Sequence, residues 1–535
     1  MKKINNLIAG LAVFALIGTS CSDLEQFNVN DKDITQEELE VDFQHVGSKY
    51  QPIFESIYQY TPAWSYQLQQ NLNADVYSGY MTNPRPFIAG QNNTTYNLVS
   101  GWNNFIWSVP YSNVMKNSKD ISDLTATDYP TLNGVNLILK VAAMHRVTDV
   151  FGPIVYNNFG DLKNAGIYDS QKEVYKAFFA DLDTAVANLT ANIESTRFSS
   201  FDLSYAGNYH KWVKLANSLR LRLAIRISMA DPALAKAEGE KALRQSEGLM
   251  TDNADGFYVN GAADHPITVI DNSWGDIRMN ASMESILSGY NDGRINAYFS
   301  EVNPGDTDTT PIVPGKRKGV RNGLPLQAPF AAELDQKAAY INFSVINDNV
   351  HTSKVQLMTT SEVYFLKAEA ALRGWAGAGS SKANYEMGIA KSFEQHGVAN
   401  SASYMADNTS VPANYVDPVN AANNANALST ITIAWDEAGT NEEKLERIIT
   451  QKWIAMFPEG QEAWSEFRRT GYPKIFPVVS NQSNGTIDTN IQIRRIPFVD
   501  SEKSTNAAGV TTAVTLLGGA DNGGTRLWWD TGRNF

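Results

Sequence analysis

The side chains best suited to chemistry here are tryptophans and tyrosines placed beside amides and arginines. Trp102, Asn103 and Asn104 offer a flat ring and two amides after a long irregular stretch, residues 71–101. Trp64, Tyr66, Tyr80 and Arg85 lie before or within that stretch, and Trp274 and Arg278 share another with Asp276. A sugar ring presents apolar C–H faces and a rim of hydroxyls, so its site needs flat aromatics beside amides and charged donors. A peptide needs apolar pockets and groups directed at its backbone. These nine aromatic, amide and arginine residues are the candidate ligand contacts. Any single loop tryptophan could instead pin its loop to the core.

Other chemistries lack their residues. None of the six histidines stands at the spacing of a His-Glu-x-x-His metal helix, and the one cysteine, Cys21, permits neither an intramolecular disulfide nor a cysteine-based zinc site. The Gly-rich stretch 374–380 is not followed by the Gly-Lys-Ser/Thr of a phosphate loop, and no Gly-x-Ser-x-Gly elbow occurs. Asp252, Asp255 and Gly256 hint at a cation loop without the spacing of an EF-hand, which favours a solvated turn. A structural calcium elsewhere is compatible with the acidic loops, although no ligand set follows from spacing. No cofactor is required. A net charge of −13 argues against nucleic acid, which demands a basic surface.

Cys21 sits where lipid chemistry would use it. Lys2 and Lys3 precede an apolar run, residues 7–17, too short to span a bilayer. Gly18, Thr19 and Ser20 then lead to the cysteine, as in a bacterial lipobox, with Gly18 where leucine is usual. The expectation is a signal peptide over 1–20, an acylated Cys21, an acidic tether over 21–40 and one domain over 41–535. No later run is apolar enough to cross a membrane.

The elements that must position the candidate residues read as helices. Residues 354–375 carry Leu357, Ser361, Tyr364, Ala368, Ala371 and Trp375 in steps of three and four. Residues 210–229 carry Trp212, Leu215, Leu219 and Leu223, and Asp231 with Pro232 starts the next helix at once. Thr440 with Glu443 is a capping box. Residues 171–189, 135–150 and 43–70 are further helices, the last broken or kinked at Pro52 and Pro62. Strand signals are weak, so the fold class is mainly α, with long irregular stretches at 71–101, 250–281, 301–342, 397–431 and 471–535.

Four stretches together resemble one family. They are Asn73-Ala-Asp-Val-Tyr-Ser-Gly-Tyr80, Thr148-Asp-Val-Phe-Gly-Pro-Ile-Val-Tyr156, Ser361-Glu-Val-Tyr-Phe-Leu-Lys-Ala-Glu-Ala-Ala-Leu-Arg-Gly374, and Ile448-Ile-Thr-Gln-Lys-Trp-Ile-Ala-Met-Phe457 followed by Glu462-Ala-Trp-Ser-Glu-Phe-Arg-Arg-Thr-Gly-Tyr-Pro473. With the lipobox and Arg526-Leu-Trp-Trp-Asp530, they resemble the SusD/RagB outer-membrane lipoproteins of Bacteroidetes, in their SusD-like nutrient-binding branch. Val155 departs from the proline more usual in the second stretch.

The resemblance implies four tetratricopeptide-like helical hairpins in a right-handed superhelical scaffold, with a loop-rich half packed on it. It implies a non-enzymatic surface lipoprotein that binds an oligosaccharide or an oligopeptide and acts as the lid of a SusC-like TonB-dependent transporter. The acidic residues after Cys21 look like the export signal of such lipoproteins. Trp464, Arg468 and Arg469 match a family-wide motif and read as scaffold, and Trp528 and Trp529 as a C-terminal clasp. A surface hydrolase of a polymer, or a purely structural transporter cap, stands as the alternative.

Overall fold

Helix capping sets most of the long elements. The computed structural model describes residues 43–85, 92–261, 264–302, 316–324 and 340–535. Residues 1–20, Cys21 and the tether 21–40 lie outside the described residues. The chain divides into two units, Met1–Lys49 and Tyr50–Phe535. The first shows the short helix Gln44–Gly47.

In the second unit eight helices form the scaffold among the described residues. α1 Pro130–Phe151 packs with α2 Gln171–Thr190, α3 Tyr209–Arg226 with α4 Pro232–Arg244, and α5 Thr360–Leu372 with α6 Ser381–Gln395, while α7 Asn441–Ala455 packs on α5 and α6, and α8 Gly460–Thr470 on the segment Gln67–Asp75 and on α1. Each start has a chemical cause. Asp231 accepts from the backbone N–H of Leu234 at 3.3 Å, with Pro232 at the first helical position. Thr440 and Glu443 form both halves of the capping box, at 3.2 and 2.7 Å. Asn208 caps α3 through Lys211 N–H at 3.1 Å, and Ser380 caps α6 through Ala383 N–H at 3.3 Å.

The apolar stripes meet between these helices. Trp212, Leu215, Leu219 and Leu223 are buried along α3, and Val363, Phe365, Leu366, Ala368 and Ala370 along α5. Each large side chain so removed from water stabilises the fold by roughly 1.5–3 kcal/mol. Small residues set the approach. A Cβ on Gly388 of α6 would lie 2.8 Å from the ring of Phe365 on α5, and one on Gly239 of α4 would lie 2.2 Å from Trp375.

A buried ionic web ties these helices together. Arg222 and Arg226 of α3, Glu362 and Glu369 of α5, Lys452 of α7 and Glu462, Glu466 and Arg469 of α8 are all buried. Lys452 lies 3.6, 3.2 and 3.4 Å from Glu362, Glu462 and Glu466, and Arg469 lies 2.7 Å from both Glu369 and Glu466. Burial alone would raise the Glu462 carboxyl, but Arg226, Lys452 and Arg222 outweigh it and hold the pKa at about 2. Desolvation consumes much of the Coulomb energy of such a web, so its main physical effect is to fix which helix faces which. Arg468 stacks on Trp464 at 3.5 Å and donates to the Asp149 and Arg494 carbonyls. Trp529 is buried and donates to Asp149 at 2.8 Å, closing the C-terminus onto α1.

Several elements differ from the sequence reading. Residues 355–358 form strand β4 (Val355–Met358), paired antiparallel with β2 (Phe257–Val259), and α5 begins only after Thr359. The stretch 71–101 opens inside a π-helical turn, Gln67–Asp75, that continues the short helix Ala63–Tyr66. Pro52 sits inside the first turn of Tyr50–Ile57 and leaves it intact, where a missing N–H costs nothing. A helical run from Ser100–Val109 through Pro110–Met115 to Lys116–Thr125 carries no clear sequence signal. The stretch 471–535 holds helices Asp500–Thr505 and Ala507–Leu517. Asp252 and Asp255 cap each other across one 3-10 turn, so their carboxylates serve backbone N–H groups.

Candidate ligand-binding site

A two-residue ladder assembles this site. Strand β1 (Met81–Thr82) pairs antiparallel with β3 (Arg278–Met279), setting Thr82 opposite Arg278. The segment leading to Arg85 is thereby laid beside the turn that carries Trp274, Gly275 and Asp276. The Ala63–Tyr66 helix packs against Val269–Ser273, the segment that leads into that turn, and Ser100–Val109 packs on the π-helical segment Gln67–Asp75.

Asp276 is the polar centre. Its carboxylate accepts from Gln67 Nε2 at 2.9 Å and pairs with Arg85 at 3.3 Å. Its main-chain carbonyl accepts from Asn83 Nδ2 at 2.8 Å. Burial raises the Asp276 carboxyl above the usual carboxylate range, while the Gln67 hydrogen bond and the Arg85 and Arg278 guanidiniums pull it down. Gly275 takes φ 65°, and a Cβ there would stand 3.4 Å from Arg85 Nη2 and 3.7 Å from Arg278 Nη2. Both distances are ordinary van der Waals contacts, so it is the left-handed backbone, not crowding, that calls for glycine at this turn.

The aromatic component is Trp64. It is 48% exposed, and its ring meets Phe105 edge-on at 5.5 Å and 88°. An exposed indole plane supported by a second ring is a stacking platform whose orientation is already fixed. Trp274 stands partly exposed beside Gly275.

A buried polar relay lies beneath. Tyr66 donates to Asp75 at 2.8 Å, Tyr58 donates to Tyr66 at 2.8 Å, and Tyr58 meets His265 at 3.2 Å. Gln70 and Asn71 also donate to Asp75, both at 3.1 Å. Burial pushes the Asp75 carboxyl up to about 6 against those three hydrogen bonds. Among the described residues no three His, Cys, Asp or Glu side chains gather as metal ligands, and no helix is long and apolar enough to cross a membrane.

The sequence matches the SusD-like family, described as Susd and RagB outer membrane lipoprotein, over residues 26–530. The chain belongs to that family. Among solved structures, a chitin-binding SusD homolog from Flavobacterium johnsoniae is 50% identical, with TM-score 0.86, covering 91% of this chain and 99% of that one. A SusD homolog from Bacteroides vulgatus is 38% identical, with TM-score 0.85, covering 93% of this chain and 100% of that one. One from Bacteroides thetaiotaomicron is 32% identical, with TM-score 0.82, covering 91% and 99%. No curated protein matches the sequence. The mainly helical SusD-like fold and the family expected from the residues are thus both shown.

Within this SusD-like fold the candidate residues separate. Arg85 and Arg278 gather at Asp276, Trp274 stands two residues before it, and Trp64 lies on the short helix that leads into Gln67, whose amide Asp276 accepts from. Arg278 is buried and holds the turn by donating to Ile341 O at 2.7 Å and pairing with Asp271 at 3.2 Å. Tyr66 and Tyr80 are enclosed, which corrects their placement as ligand-facing. Tyr66 is committed to Asp75, and the Tyr80 hydroxyl donates to the Trp453 carbonyl. Trp102, Asn103 and Asn104 lie in the first turn of Ser100–Val109. Asn103 is buried with its Oδ1 unpartnered among the described residues, and Asn104 accepts from Ser501 at 2.7 Å. Gln67, Asn83 and Phe105 were missed from sequence. Phe105 follows Trp102 by three residues on one helical face, a signal visible once that segment is read as helix.

Proposed function

We propose that this protein binds an oligosaccharide of the chitin type at the Trp64–Asp276 site and hands it on chemically unchanged. The observation that carries this reading is the exposed Trp64 plane, braced by Phe105 and set in the same element cluster as Arg85, Asp276 and Gln67. An N-acetylated pyranose offers an apolar C–H face to the indole, and its hydroxyls and acetamide suit a paired carboxylate and guanidinium. The chitin-binding relative at 50% identity supports the ligand class, and the polar character of the cluster favours a glycan over an oligopeptide.

The family is one of outer-membrane lipoproteins. In our reading Cys21 carries the lipid, the domain faces the exterior, and it closes as a lid over a SusC-like TonB-dependent transporter. Binding without turnover is tested by incubating the protein with insoluble chitin. We expect retention on the polymer and no soluble fragments after prolonged incubation. Release of shortened oligomers would instead establish a hydrolase.

A further inference from the structure

A cavity of about 730 Å³ opens where β2 and β4 meet the start of α3 and the end of α6. It shares no residue with the Trp64–Asp276 cluster. Its volume is that of a small-ligand site, which typically runs to roughly 300–1,000 Å³.

Its charge is unlike that of the rest of the chain. In a protein of net charge −13, no Asp or Glu among the described residues lines this cavity, whereas Lys211 and Lys354 do. Lys354 is exposed and forms no ion pair among the described residues. Lys211 Nζ donates to the Ala254 carbonyl at 2.6 Å, which leaves two of its three N–H donors for a guest.

Behind the wall, Asn253 Oδ1, Gln395 Oε1 and His396 Nε2 are enclosed, with no hydrogen-bond partner among the described residues. The other ends of two of these side chains are fixed: Asn253 Nδ2 donates to the Lys391 carbonyl at 3.1 Å, and Gln395 Nε2 donates to Gln356 at 2.8 Å. Burial pushes His396 down to about 4, so its ring is neutral near pH 7. Tyr258 supplies one aromatic wall, its ring lying so close to Gly256 that a Cβ there would be 2.4 Å away.

We propose that this cavity is a second binding site, for a carboxylate-bearing sugar of the hexuronate type. Lys211 and Lys354 take the carboxylate, the exposed amides of Asn260 and Asn349 on the cavity lining take ring hydroxyls, and Tyr258 faces the C–H surface. The cavity is too large for a bare inorganic anion, and it lacks the arginine fork that phosphate recognition favours. This site stands independently of the chitin-type reading of the first.

Isothermal titration of the purified protein with D-galacturonate, D-galactose and acetate tests the assignment. Galacturonate is expected to bind, with galactose and acetate each weaker by about tenfold or more, the loss expected for a charge-assisted hydrogen-bonding pair. Lys354→Gln is exposed and leaves the fold intact; together with Lys211→Gln it should weaken galacturonate by about tenfold or more, and Lys354→Gln alone by less. Trp64→Ala should leave galacturonate binding unchanged. The proposal is overturned if galacturonate gives no heat, if galactose or acetate binds as well, if Lys354→Gln alone and the double variant both bind like the parent, or if Trp64→Ala removes the signal.

Discussion

Asp276 and Asp75 are two carboxyls in neighbouring elements with different surroundings. Asp276 shares its charge with Arg85 and a Gln67 amide at the edge of the site, whereas Asp75 lies beneath, held only by neutral donors. The Asp75 pKa of about 6 stands well above the value near 3.9 of an unfolded chain. A raised folded pKa means that this group's stabilising contribution is complete below pH ~4 and is lost as pH rises through 6. We therefore expect the parent protein to gain stability from this group between pH 7 and 5, and Asp75→Asn to lack that increment. Parallel melting curves across that window would contradict the assignment. The site was partly legible at this scale. Exposed aromatics and arginines in loops advertise themselves by type, which led to Trp64, Arg85 and Trp274. Tyr66 and Tyr80 carry the same types, but their hydroxyls find internal partners, and burial of that kind leaves no mark in a single sequence.

The long helices were readable because stripe and cap agree, as at Asp231–Pro232 and Thr440–Glu443. The run from Ser100 to Thr125 was not, for it is rich in Asn and Ser and holds Pro110 internally. Local propensity is poor there. Packing on Tyr50–Ile57 and on α1 overrides it, and Pro110 is accommodated where the helix widens to a π turn. Strand β4 reads as helix in the sequence because Leu357 falls in step with Ser361 and Tyr364 of the stripe that follows it. Lys452 is the cation that α7 brings to three buried carboxylates. Lys452→Met should cost about 3–5 kcal/mol, since it leaves buried charge uncompensated. Urea denaturation would show this as a lowered midpoint at unchanged slope. A loss below about 1 kcal/mol would mean that water or proton uptake replaces the lysine.

At the scale of the whole molecule, a helical scaffold fixed by buried charge carries a small ladder, β1 with β3, that gathers the ligand site. The family assignment, over residues 26–530, joins this architecture to an outer-membrane lipoprotein. If Cys21 bears the lipid, cells fed labelled palmitate should label the protein, and Cys21→Ser should abolish labelling. Label retained in that variant would place the anchor elsewhere. The central claim is that Trp64 and the Asp276 cluster hold a chitin-type glycan. Calorimetry with chitohexaose measures it most directly, alongside maltohexaose and a hexapeptide as competitors. We expect chitohexaose to bind, the other two to give little heat, and Trp64→Ala to weaken binding by about 1–2 kcal/mol, the scale of one aromatic contact and its buried area, with melting unchanged. Undiminished chitohexaose binding by Trp64→Ala, or binding of the peptide in preference, would contradict the account.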